Sequence, residues 1–495
     1  MRPLGVVGAR CPLDDAALLR TAAYIDGAWV AHGDSGAAPV TNPATGATIA
    51  TVPRLSRVQV AGAIAAAERA LPAWRARSGK QRAMVLRRWF DLVTENAEDL
   101  ARLITLEEGK PLAEARGEVA YAASFIEWFG EEAKRVRGDV FDAPEPSRRV
   151  LVLKEPVGVC VAITPWNFPA AMITRKAAPA LAAGCAMVVK PAEQTPLTAL
   201  ALAELAARAG VPAGVLNVVV GRAREIGPEL TGNPAVRKVS FTGSTEVGRV
   251  LLTQAAATVK NVSMELGGNA PVLVFDDADL ACAVDGVLAA KYRNSGQACV
   301  SANRVYVQSG VYERFAARLG ERVAAMRVGD GFEPDVVQGP LIDDAAVAKV
   351  EEHVRDATGL GARIVAGGAR HERGGLFFEP TVLADVTSEM LVTREETFGP
   401  VTPLIRFDDE AEAVRLANAT EFGLAAYLWS RDAARVWRVA GALETGMLGV
   451  NTGAISNEVA PFGGVKQSGV GREGSVYGIE EYLELKYVAW EGAGS

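Results

Sequence analysis

One cysteine stands where a thiol can do chemistry. Cys299 follows the polar, glycine-containing stretch Tyr292-Arg293-Asn294-Ser295-Gly296-Gln297-Ala298, which interrupts an Ala/Val-rich helical pattern. Thirty-four residues upstream, Glu265 is a lone carboxylate in the apolar run Val262-Ser263-Met264-Glu265-Leu266, closed by Gly267 and Gly268. A thiolate attacks carbonyl carbons and a carboxylate takes protons from water; covalent oxidation of an aldehyde requires both. A third candidate, Asn167, sits in Thr164-Pro165-Trp166-Asn167-Phe168-Pro169, pinned between two prolines just past an apolar strand. Its side-chain amide and the backbone N–H of Cys299 suit a developing oxyanion. Each motif alone has a plainer reading, a small core cysteine or an asparagine turn. Together the thiol, the carboxylate and the amide are candidates for one catalytic set.

A second group of residues points to a dinucleotide. Val239-Ser240-Phe241-Thr242-Gly243-Ser244-Thr245-Glu246-Val247-Gly248 reads as a strand, a turn at Gly243 and a helix opening at Ser244. The free N–H groups and positive dipole end of such a helix suit a pyrophosphate. The spacing is not G-x-G-x-x-G, and a plain strand–turn–helix has the same pattern. Lys190 and Glu193 follow another buried strand, where ligands cross the carboxyl ends of an open α/β sheet. A carboxylate there accepts hydrogen bonds from ribose hydroxyls and repels a 2′-phosphate, which favours NAD over NADP. The alternative for Glu193 is a helix N-terminal carboxylate before Thr195-Pro196.

The elements that must position these residues follow from periodicity. At 495 residues the chain exceeds one ordinary core, so two or three domains are expected. The first twenty residues read as an arm, Tyr24 to Val30 alternates like a strand, and Asn42-Pro43-Ala44-Thr45-Gly46 is a turn. Apolar residues recur at helical spacing from Val58 to about Arg137. Arg148 to Lys154 is a short strand, and from Val157 strands and helices alternate, which implies parallel sheets covered by helices. The closing strand Tyr482 to Val488 has two candidate partners, Arg148–Lys154 or the sheet edge of another subunit. A hairpin left alone is marginal in water, so a homo-oligomer is expected.

Composition narrows the function classes. The net charge of −7 argues against nucleic acid as a partner. Five cysteines (Cys11, Cys160, Cys185, Cys282, Cys299), few and widely spaced, form no disulfide framework and fit a reducing, cytoplasmic location. The three histidines lie far apart without ligand spacing, so no metal site is expected. The uncharged run Pro156 to Thr174 contains three prolines and suits a strand entering a loop better than a membrane span.

Taken together, these motifs resemble the aldehyde dehydrogenase superfamily from Tyr24 to Tyr487. The likeness is greatest to succinate-semialdehyde dehydrogenases, through Ala170–Lys176, Lys291–Asn294, Ala454–Gly464 and Gly471–Gly478. The resemblance implies two open parallel-sheet Rossmann-type domains plus a small β oligomerisation element, in a homodimer or homotetramer. The expected division is 1–140 and 159–268 for dinucleotide binding, 269–455 for catalysis, and 141–158 with 470–495 for oligomerisation. It implies that Glu396, in Glu395-Glu396-Thr397-Phe398-Gly399-Pro400, holds the nicotinamide ribose, with Phe398 and Trp166 beside the cofactor. Arg175, Arg293 and Ser456 would grip the distal carboxylate of a semialdehyde, guanidinium groups being suited to carboxylates. The plain alternative makes both arginines surface or interdomain cations. Lys176 matches a lysine proposed to relay protons from the base, or else it is a solvent-exposed helical lysine. The expected reaction is NAD-dependent oxidation of succinate semialdehyde through a cysteine thiohemiacetal and thioester, hydrolysed with Glu265 as base. Glutarate semialdehyde or a broader range of aldehydes are the alternatives. Ser301 departs from the Cys-x-Cys of many relatives, which excludes a disulfide within the nucleophile loop.

Overall fold

The computed structural model describes residues 13–491. Cys11, much of the N-terminal arm and residues 492–495 lie outside them. The segment Tyr24 to Val30 is not one strand but a hairpin, β1 (Ala23–Ile25) and β2 (Ala28–Val30). Asp26 and Gly27 turn between them at φ 52 and 77. Asp-Gly between alternating residues favours this turn because both positions take positive φ at small cost. A second hairpin, β3 (Ala37–Thr41) and β4 (Thr48–Pro53), spans the Asn42–Gly46 turn. Four helices follow: α1 (Arg57–Arg75), α2 (Gly79–Glu95), α3 (Ala97–Glu108) and α4 (Leu112–Glu132). Reciprocal Ser/Gln capping boxes at Ser56/Gln59 and Ser78/Gln81 start the first two.

Beyond β5 (Asp139–Asp142) and β6 (Arg148–Pro156), the predicted alternation appears as β7 (Val159–Ile163), α5 (Ala171–Ala183), β8 (Ala186–Lys190), α6 (Leu197–Arg208), β9 (Leu216–Val218), α7 (Ala223–Gly232), β10 (Val236–Thr242), α8 (Thr245–Ala256) and β11 (Asn261–Glu265). These five strands pair in parallel in the order β11-β10-β7-β8-β9, with β1 and β2 continuing one edge. Cys160 and Ala162 of β7 enter one apolar cluster while Val159 and Val161 enter another, so the sheet is buried on both faces. The chain runs β7 to β9 in one direction, then returns to place β10 on the other side of β7. That reversal opens a crevice at the carboxyl ends of β7 and β10.

A second sheet begins with β12 (Ala270–Val274), α9 (Leu280–Tyr292), β13 (Ala302–Gln308), α10 (Tyr312–Ala324) and α11 (Asp344–Gly359). It continues with β14 (Arg363–Ala366), β15 (Thr381–Ala384), β16 (Val401–Phe407), β17 (Ala425–Trp429) and β18 (Met447–Val450), and only its β14 edge is antiparallel. Near the end of the chain, β19 (Gly469–Val470) returns to the edge of the first sheet beside β11. The last strand, β20 (Leu483–Glu491), pairs with β6, and β5 completes an antiparallel three-stranded sheet. Arg148–Lys154, one of the two partners open to the closing strand, pairs with it within the chain. Among the described residues no helix is long and apolar enough to cross a membrane.

Candidate active site

The crevice between the ends of β7 and β10 is a cavity of about 270 Å³. Residues just past β7 (Pro165, Trp166, Asn167) and β10 (Gly243, Ser244) line it, together with Cys299, Glu396 and Phe398. Seven of the residues singled out in the sequence therefore share one space. Met172, Thr242, Leu266, Gly267 and Lys349 complete the wall.

The nucleophile loop is held in a backbone form that needs support. Asn294, Ser295 and Gly296 all have positive φ (52, 54 and 77), which is costly for the two non-glycine residues. Glu114 accepts from Asn294 N at 2.7 Å, Ser295 Oγ donates to Gly339 O at 3.0 Å, and Gln297 Oε1 accepts from Ile342 N at 3.0 Å. Gly268 lets the loop approach the first sheet, because a Cβ there would stand 2.5 Å from the Cys299 carbonyl oxygen. Asn167 Nδ2 donates to Gln297 O at 2.9 Å, tying the oxyanion candidate to the same loop and leaving its other N–H free to donate. Ser301 Oγ donates to Lys291 O at 3.2 Å.

Burial pushes the Cys299 thiol up to about 12; Arg175 pulls it down, and Glu396 and Glu265 push it further up. The thiol is thus neutral at pH 7, and the reactive thiolate fraction grows tenfold with each pH unit below that value. Inactivation by iodoacetamide is expected to accelerate about tenfold per unit from pH 7 to 9, without a plateau. A rate that levels off near pH 7 would show that the site lowers the thiol instead.

Glu265 ends β11, in register with Thr242 of β10 and Gly469 of β19. It is buried and neither carboxyl oxygen has a hydrogen-bond partner. Burial raises it well above the usual carboxylate range and Glu473 adds to the rise, while Arg175, Lys176 and Arg472 oppose it. Every residue of α5 is buried, including Arg175 and Lys176. This rules out the exposed alternative for Lys176 and the surface alternative for Arg175. One oxygen of Glu473 takes Arg175 Nε and the other takes Lys176 Nζ, which also donates to Thr242 Oγ1 at 2.5 Å. Arg175 Nη2 has no partner, and its guanidinium lies 4.0 Å from the Phe462 ring centre. Phe462 lines a second cavity of about 200 Å³ with Ile455 and Asn457, the two neighbours of Ser456. Arg293 is half-buried, 4.6 Å from the ring centre of Phe168.

Among the dinucleotide candidates, Ser244 caps α8 by accepting from Val247 N. The Trp166 and Phe398 rings meet edge to face at 5.6 Å. Glu396 accepts from Gly268 N at 3.1 Å, and burial raises its carboxyl to about 7. Gly267 leaves room beside it, since a Cβ there would lie 2.9 Å from Glu396 Oε2. Lys190 and Glu193 stand apart from the cavity wall. Lys190 is buried and held down to about 8. Glu193 accepts from Ala223 N at 3.1 Å and faces Arg54 at 3.8 Å. A helix N-terminus at a sheet's switch point, an aromatic pair and buried carboxylates suit the phosphates, rings and hydroxyls of a nicotinamide dinucleotide. Sequence reasoning missed Glu473 and Lys349, whose Nζ donates to Glu396 O at 2.6 Å. Glu473 was visible only as part of a matching stretch, and no local pattern marked Lys349.

Comparison with known proteins agrees with this geometry. The aldehyde dehydrogenase family model matches residues 29–488. The glutarate-semialdehyde dehydrogenase of Pseudomonas aeruginosa is 62% identical over 480 residues, 97% of this chain and 99% of that protein. An NADP(+) succinate-semialdehyde dehydrogenase of Escherichia coli is 62% identical over 476 residues, 96% of this chain and 99% of that one. The crystal structure of a succinate-semialdehyde dehydrogenase from Burkholderia pseudomallei superposes with a TM-score of 0.96 at 60% identity, covering 97% of this chain and 100% of that chain.

Proposed function

The chain belongs to the aldehyde dehydrogenase family, and from that premise we propose that it oxidises succinate semialdehyde to succinate with NAD as acceptor. One observation carries the substrate reading. The buried Arg175 guanidinium keeps Nη2 without a partner while its charge reaches Cys299. Glu473 already pairs with Nε, so what stays open is the Nη2 donor. A buried N–H without an acceptor suits an anionic oxygen, and the far carboxylate of a semialdehyde supplies one while its aldehyde faces the thiol. Arg293 and Ser456 complete the clamp. Glutarate semialdehyde is the second substrate this clamp admits, because one methylene changes binding by only ~1–3 kcal/mol. A generalist for neutral aldehydes has no use for the arginines. Arg293→Gln is expected to lower kcat/KM for succinate semialdehyde about 10–100-fold, as loss of a charged hydrogen bond does. Butanal should change less than about threefold. Equal losses on both aldehydes would remove Arg293 from the clamp.

In the mechanism, Cys299 gives its proton to solvent water and attacks the aldehyde carbon as the thiolate. The oxyanion of the thiohemiacetal receives hydrogen bonds from the Asn167 side-chain amide and the backbone N–H of Cys299. NAD, when bound, supplies the hydride acceptor that leaves a thioester on Cys299. Gly243 and Ser244 would hold its pyrophosphate, Lys190 and Glu193 the adenosine ribose, and Glu396 the other ribose, with Trp166 and Phe398 flanking the ring. Glu265 then takes a proton from water, which hydrolyses the thioester; buried Lys176, which donates to Thr242 Oγ1 and Glu473, is the candidate for carrying that proton onward. The preference for NAD rests on Glu193, although Arg54 beside it offsets part of the repulsion toward a 2′-phosphate.

We assign dinucleotide binding to the first sheet, catalysis to the second and self-association to the three-stranded sheet, and place the protein in the cytoplasm on its cysteine usage. The three-stranded sheet exposes Phe141, Leu485, Tyr487 and Trp490, an apolar surface that a second copy would cover. Light scattering is expected to give a dimer or tetramer, and a monomer at micromolar concentration would refute this.

A further inference from the structure

Beneath the Asn167 loop lies an ion pair that the mechanism leaves unused. Lys110, between α3 and α4, and Glu118 of α4 are each only 2% exposed. Lys110 Nζ donates to Glu118 Oε2 at 2.6 Å and to the backbone carbonyl of Asn167 at 2.6 Å. It also stands 3.9 Å from the ring centre of Phe168. The other oxygen of Glu118 accepts from Ala170 N at 2.9 Å and Ala171 N at 3.4 Å. Helix α5 has no side-chain cap of its own at Ala170, so Glu118 serves its N-terminus from another helix. The pair grips the segment at both ends, the lysine on residue 167 and the glutamate on residues 170 and 171.

The carbonyl that Lys110 holds also takes Asn294 Nδ2 at 3.0 Å. The Asn167 amide and the nucleophile loop are thereby fixed relative to each other through one atom. A buried ion pair is a weak source of stability, because desolvation of both charges offsets their attraction. Packing alone would be met as well by an apolar pair.

We propose that Lys110, neutralised and oriented by Glu118, is a positioning residue that sets where the Asn167 side-chain amide stands relative to Cys299. It does not line the cavity that Asn167 and Cys299 share, so it acts through Asn167. This rests on the reading of Asn167 as the oxyanion donor.

A double-mutant cycle on the full-length enzyme tests it. The variants are Asn167→Ala, the paired Lys110→Met/Glu118→Gln, and all three changes together, with thermal melts to confirm folding. The paired change removes both charges of the pair and keeps a carbonyl oxygen for the α5 amides, while Glu108, 3.9 Å from Lys110 Nζ, loses that cation, which the melts monitor. It is expected to lower kcat about 10–100-fold, as a small misplacement of a reacting group does, with KM altered less than about threefold. In the Asn167→Ala background it should lower kcat less than about threefold further. Losses that multiply in the triple variant, or an unchanged kcat in the paired one, would overturn the proposal while leaving the oxyanion reading intact. An unchanged kcat in Asn167→Ala alone would defeat both. Should the paired variant not fold, Lys110→Arg, which keeps the charge but displaces the carbonyl, goes through the same cycle with the same outcomes.

Discussion

Cys299→Ala is expected to lower kcat at least about 10³-fold, because removal of a nucleophile leaves only binding and oxyanion contacts to act. No neighbouring group replaces the thiol: the adjacent hydroxyl, Ser301 Oγ, is buried and committed to Lys291 O. Fold should survive, since Cys299 is half-buried and alanine only shortens it. The loop's shape comes from Glu114, Ser295 and Gln297 rather than from the sulfur. Initial rates together with a thermal melt check this. A folded variant that keeps a tenth or more of the wild-type rate would show that the oxidation does not pass through a covalent adduct on Cys299.

Glu265→Gln should separate the two halves of the reaction. The amide fills the same buried space but takes no proton, and loss of a general base costs about 10²–10⁴-fold. Because the base is assigned to thioester hydrolysis, a burst of about one NADH per active site is expected, followed by a slow steady state. The wild type should also show a pH signature. Burial and Glu473 raise the Glu265 carboxyl, and only the ionised form is a base. The steady-state rate should therefore climb with pH through a limb displaced upward from the usual carboxylate range, and Glu265→Gln should lose that limb. Stopped-flow absorbance at several pH values reads both. Absence of the burst, with both phases slowed alike, would place Glu265 before hydride departure.

The parts legible in the sequence were those carried by neighbouring residues. The strand-to-loop passages at Thr164–Pro169 and Thr242–Ser244 mark the carboxyl ends of β7 and β10, and the cavity opens between them. The alternation past Val157 calls for helices between strands but not for the burial of α5 on every side. A helix carrying an adjacent arginine and lysine is as consistent with an exposed face until its neighbours are known. Glu473 lies 297 residues from Lys176 and reaches it only through the fold. The same holds for Lys110 beneath Asn167, 57 residues away. The Asp26-Gly27 hairpin is different: its signal was local and was overlooked in favour of an unbroken strand.

A clamp of buried Arg175 and half-buried Arg293 would select an aldehyde bearing a distant carboxylate, with NAD favoured by Glu193. Initial rates of NADH and NADPH formation with succinate semialdehyde, glutarate semialdehyde and butanal test it directly. Expected is kcat/KM about 10²-fold or more higher for the carboxylated aldehydes, the discrimination that follows when charged hydrogen bonds to the substrate are lost, with faster NADH than NADPH formation. Equal kcat/KM for butanal would contradict the clamp.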